Sequence, residues 1–393
     1  LGFPGDVYCV HPHNDAVLGF PCYQDLASLP KPVDSVAVLL GADKVVPVLA
    51  GAAEAGAKAA WVLASRFGEA GEEGKAREKA LVRFAKKTGM LICGPNCITV
   101  ANMWGRFATH SVSLSDDTKP GLVSVVVQSG AVCLGFANAA RFGFRCLISS
   151  GNEAVLDNGD YIGYLAHDER TEVIVAFLEG IRSPDGFMVA AMAAERANKP
   201  ILAVKVGRSE LARQTVQAHA GSLAGSDRIV DAAFHKLGII WLETLDELLE
   251  TAKLSATCQL PNGEGVGLLI LSGDQIGLIA DLAEGLGLDF PPFSDEAQAA
   301  LEQILLPFSP IANPLDAWGN GDLEASYPSC VDIAAREEEI DVLAVSRDTP
   351  NGVAAREIEQ CLAVAESAVA AAQKVRKPVL LFSNLCAGFD PTV

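Results

Sequence analysis

Short apolar runs alternate along this chain with longer stretches whose apolar residues recur at helical spacing. In the first block the runs are Val7–Val10, Val36–Leu40, Ala60–Leu63 and Met90–Cys93; helix-like stretches at Lys44–Ala55 and Glu72–Thr88 separate them, the second strongly charged on one face. The polar, proline-ended segment Asp116–Pro120 breaks the pattern. A second block opens with Gly121–Val127, then Gln128-Ser129-Gly130, then a small-residue helix over Ala131–Arg141. Further strands are predicted at Arg145–Ser149, Val173–Leu178, Ile201–Val206 and Ile239–Trp241, with helices starting near Asn158 and spanning Leu245–Cys258. After a turn at Pro261-Asn262-Gly263 the third block repeats the layout: strand Gly265–Leu271, Ser272-Gly273-Asp274, helix Gln275–Glu284, then strands Val342–Ser346 and Val379–Phe382. Strand-length apolar runs separated by helices predict an α/β protein of three doubly wound, mostly parallel sheets. The breaks place the domains at 1–117, 118–259 and 260–393.

Composition narrows the function classes. A chain of 393 residues exceeds one typical domain. Half its residues are hydrophobic and 20% are charged, ample material for buried cores. The formal charge of −19 argues against nucleic acid or an anionic membrane surface, both of which attract clustered Lys and Arg. It leaves room for a phosphorylated ligand, because main-chain N–H groups hold phosphate without net positive charge. The ten cysteines are scattered, and the close pair Cys93 and Cys97 lacks a second pair at zinc-ligand spacing. No metal site is therefore expected, and reduced thiols fit a cytoplasmic protein. No apolar run approaches the roughly 18 residues of a membrane span, and no signal peptide is recognisable. The chain opens on Leu1 and runs through a turn straight into a strand, Asp6–His11, so a preceding strand and helix are expected upstream.

Candidate chemistry gathers where strands end, the place where ligands bind in open α/β sheets. Ser129-Gly130 ends one strand and opens a helix, so its N–H groups and hydroxyl face where an oxyanion would sit. Gly151-Asn152-Glu153 follows a second strand with the same capacity, and Glu179-Gly180 sets a carboxylate at the end of a third. Glu153, with Asp157 and Asp160, suits either an acyl site or the first turn of a helix. The stretch Gln217-Ala218-His219-Ala220-Gly221-Ser222-Leu223-Ala224-Gly225 holds one histidine among small residues. Read singly, each of these is as well explained as an ordinary turn. Together they offer two helix starts for phosphate, a nitrogen nucleophile on a loop able to move, and a carboxylate to orient it.

These words resemble the nucleoside-diphosphate-forming acyl-CoA synthetases, the superfamily that includes the succinyl-CoA synthetase α subunit. They are Gly94-Pro95-Asn96-Cys97, Gln128-Ser129-Gly130, Ser150-Gly151-Asn152, Phe177-Leu178-Glu179-Gly180-Ile181 and His219-Ala220-Gly221-Ser222-Leu223-Ala224-Gly225. Block one is similar to that family's Rossmann-like CoA-binding domain, through Val10-His11-Pro12, Val17-Leu18-Gly19 and Cys22-Tyr23-Gln24-Asp25-Leu26. Blocks two and three resemble its flavodoxin-like ligase domains, Asn313-Pro314-Leu315-Asp316 being the clearest word of the third.

The resemblance implies an ADP-forming ligase that converts acid, ATP and CoA into acyl-CoA, ADP and phosphate through an acyl phosphate and a phosphohistidine. It implies that His219 carries the phosphoryl group and that Glu179 bonds its ring, with Ser129, Gly130, Gly151 and Asn152 around phosphate. It puts Gly41, Ala42, Ser65, Arg66, Pro95 and Asn96 around CoA, although Arg66 reads equally well as a solvated surface residue. Two departures stand out. The family's opening strand, glycine turn and helix are not in this chain, and nothing in it resembles the ATP-grasp lobe that binds ATP/ADP and Mg. That lobe is expected on a partner chain or a continuation, within a homo- or hetero-oligomer, and this chain by itself is not expected to use ATP. The acid is not readable; acetate and hydroxycinnamic acids are both used in the family. The competing reading is a CoA-binding regulatory module of a protein acyltransferase, which would not need His219 and Glu179; citrate cleavage is a weaker third.

Overall fold

The computed structural model describes residues 2–393 apart from 112–113, 140, 213–226, 319–321, 386–389 and 391. Two compact units follow one another, Leu1–Ala256 and Thr257–Val393.

The first unit opens with a small sheet of β1 (Cys9–Val10), β2 (Ala16–Val17) and β3 (Phe20–Tyr23), in the order β1-β3-β2. Of the strand expected over Asp6–His11, only Cys9 and Val10 find ladder partners, Cys22 and Tyr23. A parallel sheet follows, β4 (Ser35–Val38), β5 (Ala59–Val62) and β6 (Leu91–Cys93), with helices α1 (Ala42–Glu54) and α2 (Gly71–Thr88). Helix α2 suits its own dipole: Glu72 and Glu73 lie in its first turn, Lys86 and Lys87 in its last, and Gly89 closes it at φ +74°.

The larger sheet contains β7 (Thr99–Asn102), β8 (Phe107–His110), β9 (Pro120–Val127), β10 (Phe144–Ser149), β11 (Val173–Leu178), β12 (Ile201–Lys205) and β13 (Ile240–Trp241). Its order is β13-β12-β11-β9-β10-β7-β8, parallel except for the β7–β8 hairpin, which pairs antiparallel with β10. This hairpin went unread in the sequence and lies before residue 117, yet it extends the sheet of the second block.

Alternation along the buried strands sends side chains to two faces. Val123, Val125 and Val127 of β9, with Val173 and Val175 of β11, pack with Cys133 and Phe136 of helix α3 (Gly130–Ala139) and with Leu248 of the helix Leu245–Thr257. Val126, Ile174, Ala176 and Leu178 face the other way, onto Ile162 and Leu165 of α4 (Asn158–His167) and Ala190 and Ala194 of α5 (Pro184–Arg196). Helices therefore cover both faces.

The second unit repeats the scheme with β14 (Val266–Ile270), β15 (Leu315–Asp316), β16 (Val342–Ser346) and β17 (Val379–Phe382), all parallel in the order β15-β14-β16-β17. Its core joins Leu269, Leu315, Leu343 and Val345 to Leu301, Tyr327, Val331 and Val364 of the surrounding helices. Among the described residues no helix is long and apolar enough to cross a membrane.

Candidate functional site

In the large sheet β9 lies between β10 and β11, so the chain leaves it first to one side and then to the other. The carboxyl end of such a strand is a crevice, and Gln128-Ser129-Gly130 stands at its mouth. The Ser129 hydroxyl accepts the Val132 N–H at 3.4 Å and the Ser129 carbonyl accepts that of Cys133 at 3.1 Å, which starts α3 on this turn. A side chain at Gly130 would stand 2.9–3.1 Å from Ile98.

The turn after β10 is pinned to the first sheet. Gly151 has φ +64°, and a Cβ there would come 2.3 Å from the Pro95 carbonyl oxygen and 2.7 Å from the Asn96 carbonyl carbon. The Asn152 N–H donates to the Pro95 carbonyl at 2.9 Å, and that of Ala154 to the Gly94 carbonyl at 3.1 Å. The Asn96 side chain donates to Oδ1 of Asn152 at 3.2 Å, and Nδ2 of Asn152 donates to the Glu69 carboxylate. The Asn152 amide, expected from the sequence to face a phosphate, thus bonds the Gly94–Asn96 turn that holds the expected CoA residues Pro95 and Asn96.

Beneath these turns lies a buried polar cluster. Oε1 of Glu153 accepts the Ser150 hydroxyl at 2.7 Å; Oε2 accepts Nε2 of Gln128 at 2.8 Å and Nδ2 of Asn158 at 3.3 Å. Glu153 is 2% exposed. Burial pushes its carboxyl up to about 8, against the pull of the Ser150 and Gln128 hydrogen bonds. Oε1 of Gln128 accepts the N–H groups of Glu179 at 2.5 Å and Gly180 at 3.0 Å. The cluster therefore reaches the third strand-end turn, where Glu179 is partly buried.

The expected CoA residues sit at the carboxyl ends of β4, β5 and β6. Gly41 caps α1, with Ala42 as that helix's first residue. Ser65 and Arg66 are exposed, Arg66 at φ +72°, and the Arg66 N–H donates to Glu69 at 2.6 Å. Asn96, at φ +58°, donates its N–H to the Ala64 carbonyl at 2.9 Å and follows the cis-linked Pro95. Arg77 of α2 meets Asp43 at 2.6 Å and the Arg66 carbonyl at 3.3 Å, tying the α1 turn to the β5 turn. Sequence reasoning missed Arg77, Glu69, Asn158 and the linking role of Gln128. For Gln128 a signal existed, a long polar side chain directly after the apolar run Val125–Val127. For Arg77 there was none beyond the charged face of α2, and for Glu69, which precedes that helix, there was none. His219 and its neighbours Gln217–Gly225 lie outside the described residues. Among the described residues no cluster of three or more His, Cys, Asp or Glu is arranged to hold a metal ion.

Comparison with known proteins fits this geometry. Residues 4–103 match the CoA binding domain family, and residues 120–255 the succinyl-CoA ligase like flavodoxin domain. The α subunit of the ADP-forming acetate–CoA ligase II of Pyrococcus furiosus is 32% identical over 86% of this chain and 74% of its own length. A trans-feruloyl-CoA synthase from an unknown prokaryotic organism is 33% identical over 86% of this chain and 48% of its own length. This chain thus spans about half the length of that relative. The dinucleotide-forming acetyl-coenzyme A synthetase of Ca. Korarchaeum cryptofilum, solved with phosphate and ADP, superposes with a TM-score of 0.86 at 27% identity, covering 97% of this chain and 81% of that one. With a relative so similar over most of both lengths, and with both domain families in sequence, the chain belongs to the ADP-forming acyl-CoA ligases of the succinyl-CoA-ligase-like superfamily.

Proposed function

We propose that this chain is the CoA- and phosphate-handling part of an ADP-forming acyl-CoA synthetase, with domains 1–117, 118–259 and 260–393. One observation carries the reading: the turn expected to hold phosphate is bonded to the turn expected to meet CoA, Asn152 N–H to Pro95 C=O at 2.9 Å. A synthetase of this kind needs that adjacency, because thioester and phosphate must react with each other. A phosphate oxygen attacks the thioester carbonyl, the C–S bond breaks and the CoA thiolate leaves, which gives an acyl phosphate. The His219 imidazole then attacks phosphorus; the P–O bond to the acyl group breaks and the carboxylate leaves with the electron pair. Glu179 takes the proton-bearing ring nitrogen, fixes the tautomer and stabilises the cation as the phosphoryl group arrives. Ser129, Gly130 and the Gly151–Asn152 turn hold phosphate, and Gly41, Ala42, Ser65, Arg66, Pro95 and Asn96 meet CoA. Nucleotide and Mg belong to an ATP-grasp lobe on a partner subunit or elsewhere in a longer chain, and the phosphohistidine passes its phosphoryl group to ADP there. The acid is acetate or an aromatic acid such as the ferulate named for one relative.

The test needs no nucleotide lobe. With radiolabelled phosphate and either acetyl-CoA or feruloyl-CoA, the chain takes up acid-labile, alkali-stable label, and His219→Ala takes up none. A CoA-sensing module binds the acyl-CoA and stays unlabelled; that outcome with both thioesters overturns the proposal.

A further inference from the structure

We propose that Gln128 is a positioning residue for Glu179: its carboxamide bridges the turn after β11 to the turn after β10 and so sets where the Glu179 carboxylate stands. The inference rests on the phosphohistidine reading and assigns a part within it.

The carboxamide has two acceptor sites and two donors, and all four are engaged. Oε1 accepts from the N–H groups of Glu179 and Gly180, at 2.5 and 3.0 Å. Nε2 donates to the Gly180 carbonyl at 3.0 Å and to Oε2 of Glu153 at 2.8 Å. The orientation of the amide follows from its partners, because a flipped amide would set its NH2 group against two N–H donors. One side chain thereby holds both the N–H and the C=O of Gly180, as a neighbouring strand would. It does so where that strand runs out: the β9–β11 ladder ends at Val127 and Phe177, and the Gln128 N–H still reaches the Phe177 carbonyl at 3.3 Å. Two more elements grip the same peptides. Nδ2 of Asn158, at the start of α4, donates to the Gly180 carbonyl at 2.9 Å, and Nζ of Lys205, at the end of β12, donates to the Glu179 carbonyl at 3.0 Å. A carboxylate that must meet an arriving imidazole depends on such support, since displacement of the backbone by about 1 Å costs on the order of 100-fold in rate.

The experiment compares Gln128→Met and Gln128→Glu with the unaltered chain. Methionine keeps the length and removes every hydrogen bond of the side chain. Glutamate keeps the acceptor that faces the two N–H groups. Labelling from radiolabelled phosphate is followed with whichever of acetyl-CoA and feruloyl-CoA labels the unaltered chain, and hydrogen exchange is measured at the Glu179 and Gly180 amides. In Gln128→Met the labelling rate at saturation falls about 10- to 100-fold, half-saturation by acyl-CoA shifts less than about twofold, and both amides exchange faster. Gln128→Glu recovers part of the rate and of the protection, because its second oxygen can face the Gly180 carbonyl and Oε2 of Glu153 only when it carries a proton. Gln128→Met labelling at the unaltered rate overturns the inference alone, as does a slow variant whose Glu179 and Gly180 amides exchange as before. If Gln128→Met does not fold, Gln128→Glu decides: slow labelling with both amides still protected overturns the inference, and retained labelling with retained protection supports it. An unaltered chain that takes no label removes the phosphohistidine reading, and this inference with it.

Discussion

Gly151→Ala is expected to destabilise the first unit by about 3–4 kcal/mol, and Gly238→Ala by about 1–2 kcal/mol. The two glycines share φ +64°, so the intrinsic cost of a left-handed alanine is the same at both. They differ in what a Cβ would meet. At Gly238 nothing lies within 4 Å, whereas at Gly151 the Pro95 carbonyl oxygen lies 2.3 Å away. That oxygen is backbone and cannot swing aside, so the turn must lift from the Gly94–Asn96 segment. Lifting it breaks the bonds from the Asn152 and Ala154 N–H groups, each worth on the order of 1 kcal/mol, on top of the 1–2 kcal/mol of backbone strain. Urea titrations followed by tryptophan fluorescence report on this unit, which holds Trp61, Trp104 and Trp241. Equal shifts of the midpoint in the two variants would show that the close approach carries no energy. The functional consequence follows the same joint: Gly151→Ala separates the turn expected to hold phosphate from the turn expected to meet CoA, and Gly238→Ala leaves them together.

That joint marks the limit of what the sequence could disclose. Strands β11, β16 and β17 were predicted to the residue; β11 is buried on both faces and reads as an unbroken apolar run, whereas β17 is apolar throughout although its Leu381 is exposed. The hairpin β7–β8 was not found: Thr-Val-Ala-Asn and Phe-Ala-Thr-His are short and half polar, β8 is the edge strand, and the pairing of β7 with β10 joins the hairpin to the sheet. Strand β15 consists of two residues and has no pattern to read. The positions of Ser129, Gly130 and Glu179 at strand ends were legible because a residue that ends an apolar strand has a predictable place at the rim. The requirement for glycine at position 151 was not legible, since its cause is backbone from a turn about fifty residues earlier; the bonded Asn96 and Asn152 are 56 positions apart. Local pattern carries no information about such a contact. Arg66 shows the same limit: its side chain is exposed, and its link to the site runs through its backbone N–H and carbonyl to Glu69 and Arg77.

Glu153, which the sequence offered for an acyl site or the first turn of a helix, is buried in the polar cluster at the turn proposed to receive phosphate, and its chemistry yields the last expected result. Glu153→Gln is expected to outstrip the unaltered chain in stability by a margin that widens as the pH rises. The reason begins with one hydrogen atom. The Ser150 hydroxyl lies 2.7 Å from Oε1 of Glu153 and 3.3 Å from the Val127 carbonyl, and its single proton serves only one of them. When Glu153 is neutral with its proton on Oε1, it donates to Ser150, which is then free to donate to Val127, while Oε2 still accepts from Gln128 and Asn158. Glutamine reproduces the hydrogen bonds of that neutral pattern, its Nε2 donating to Ser150 and its Oε1 accepting from Gln128 and Asn158, and adds one further N–H. The ionised form leaves a charge in the interior with only neutral donors around it, and burial accordingly holds the carboxyl up at about 8. The folded chain thus keeps its proton over a pH range in which the unfolded chain has released it. The stability contributed by the neutral form is complete below the ordinary glutamate range and is lost as the pH climbs to about 8, where the folded state ionises as well. Within that window the unaltered chain falls behind Glu153→Gln by about 1.4 kcal/mol per pH unit, about 3–5 kcal/mol in all. Every other titrating group is common to the two proteins, so the difference between their urea stabilities at successive pH values isolates this one carboxyl. A difference that stays constant from about pH 5 to 8 would mean that Glu153 is already ionised in the folded chain, and that a bare carboxylate underlies the turn proposed to receive phosphate.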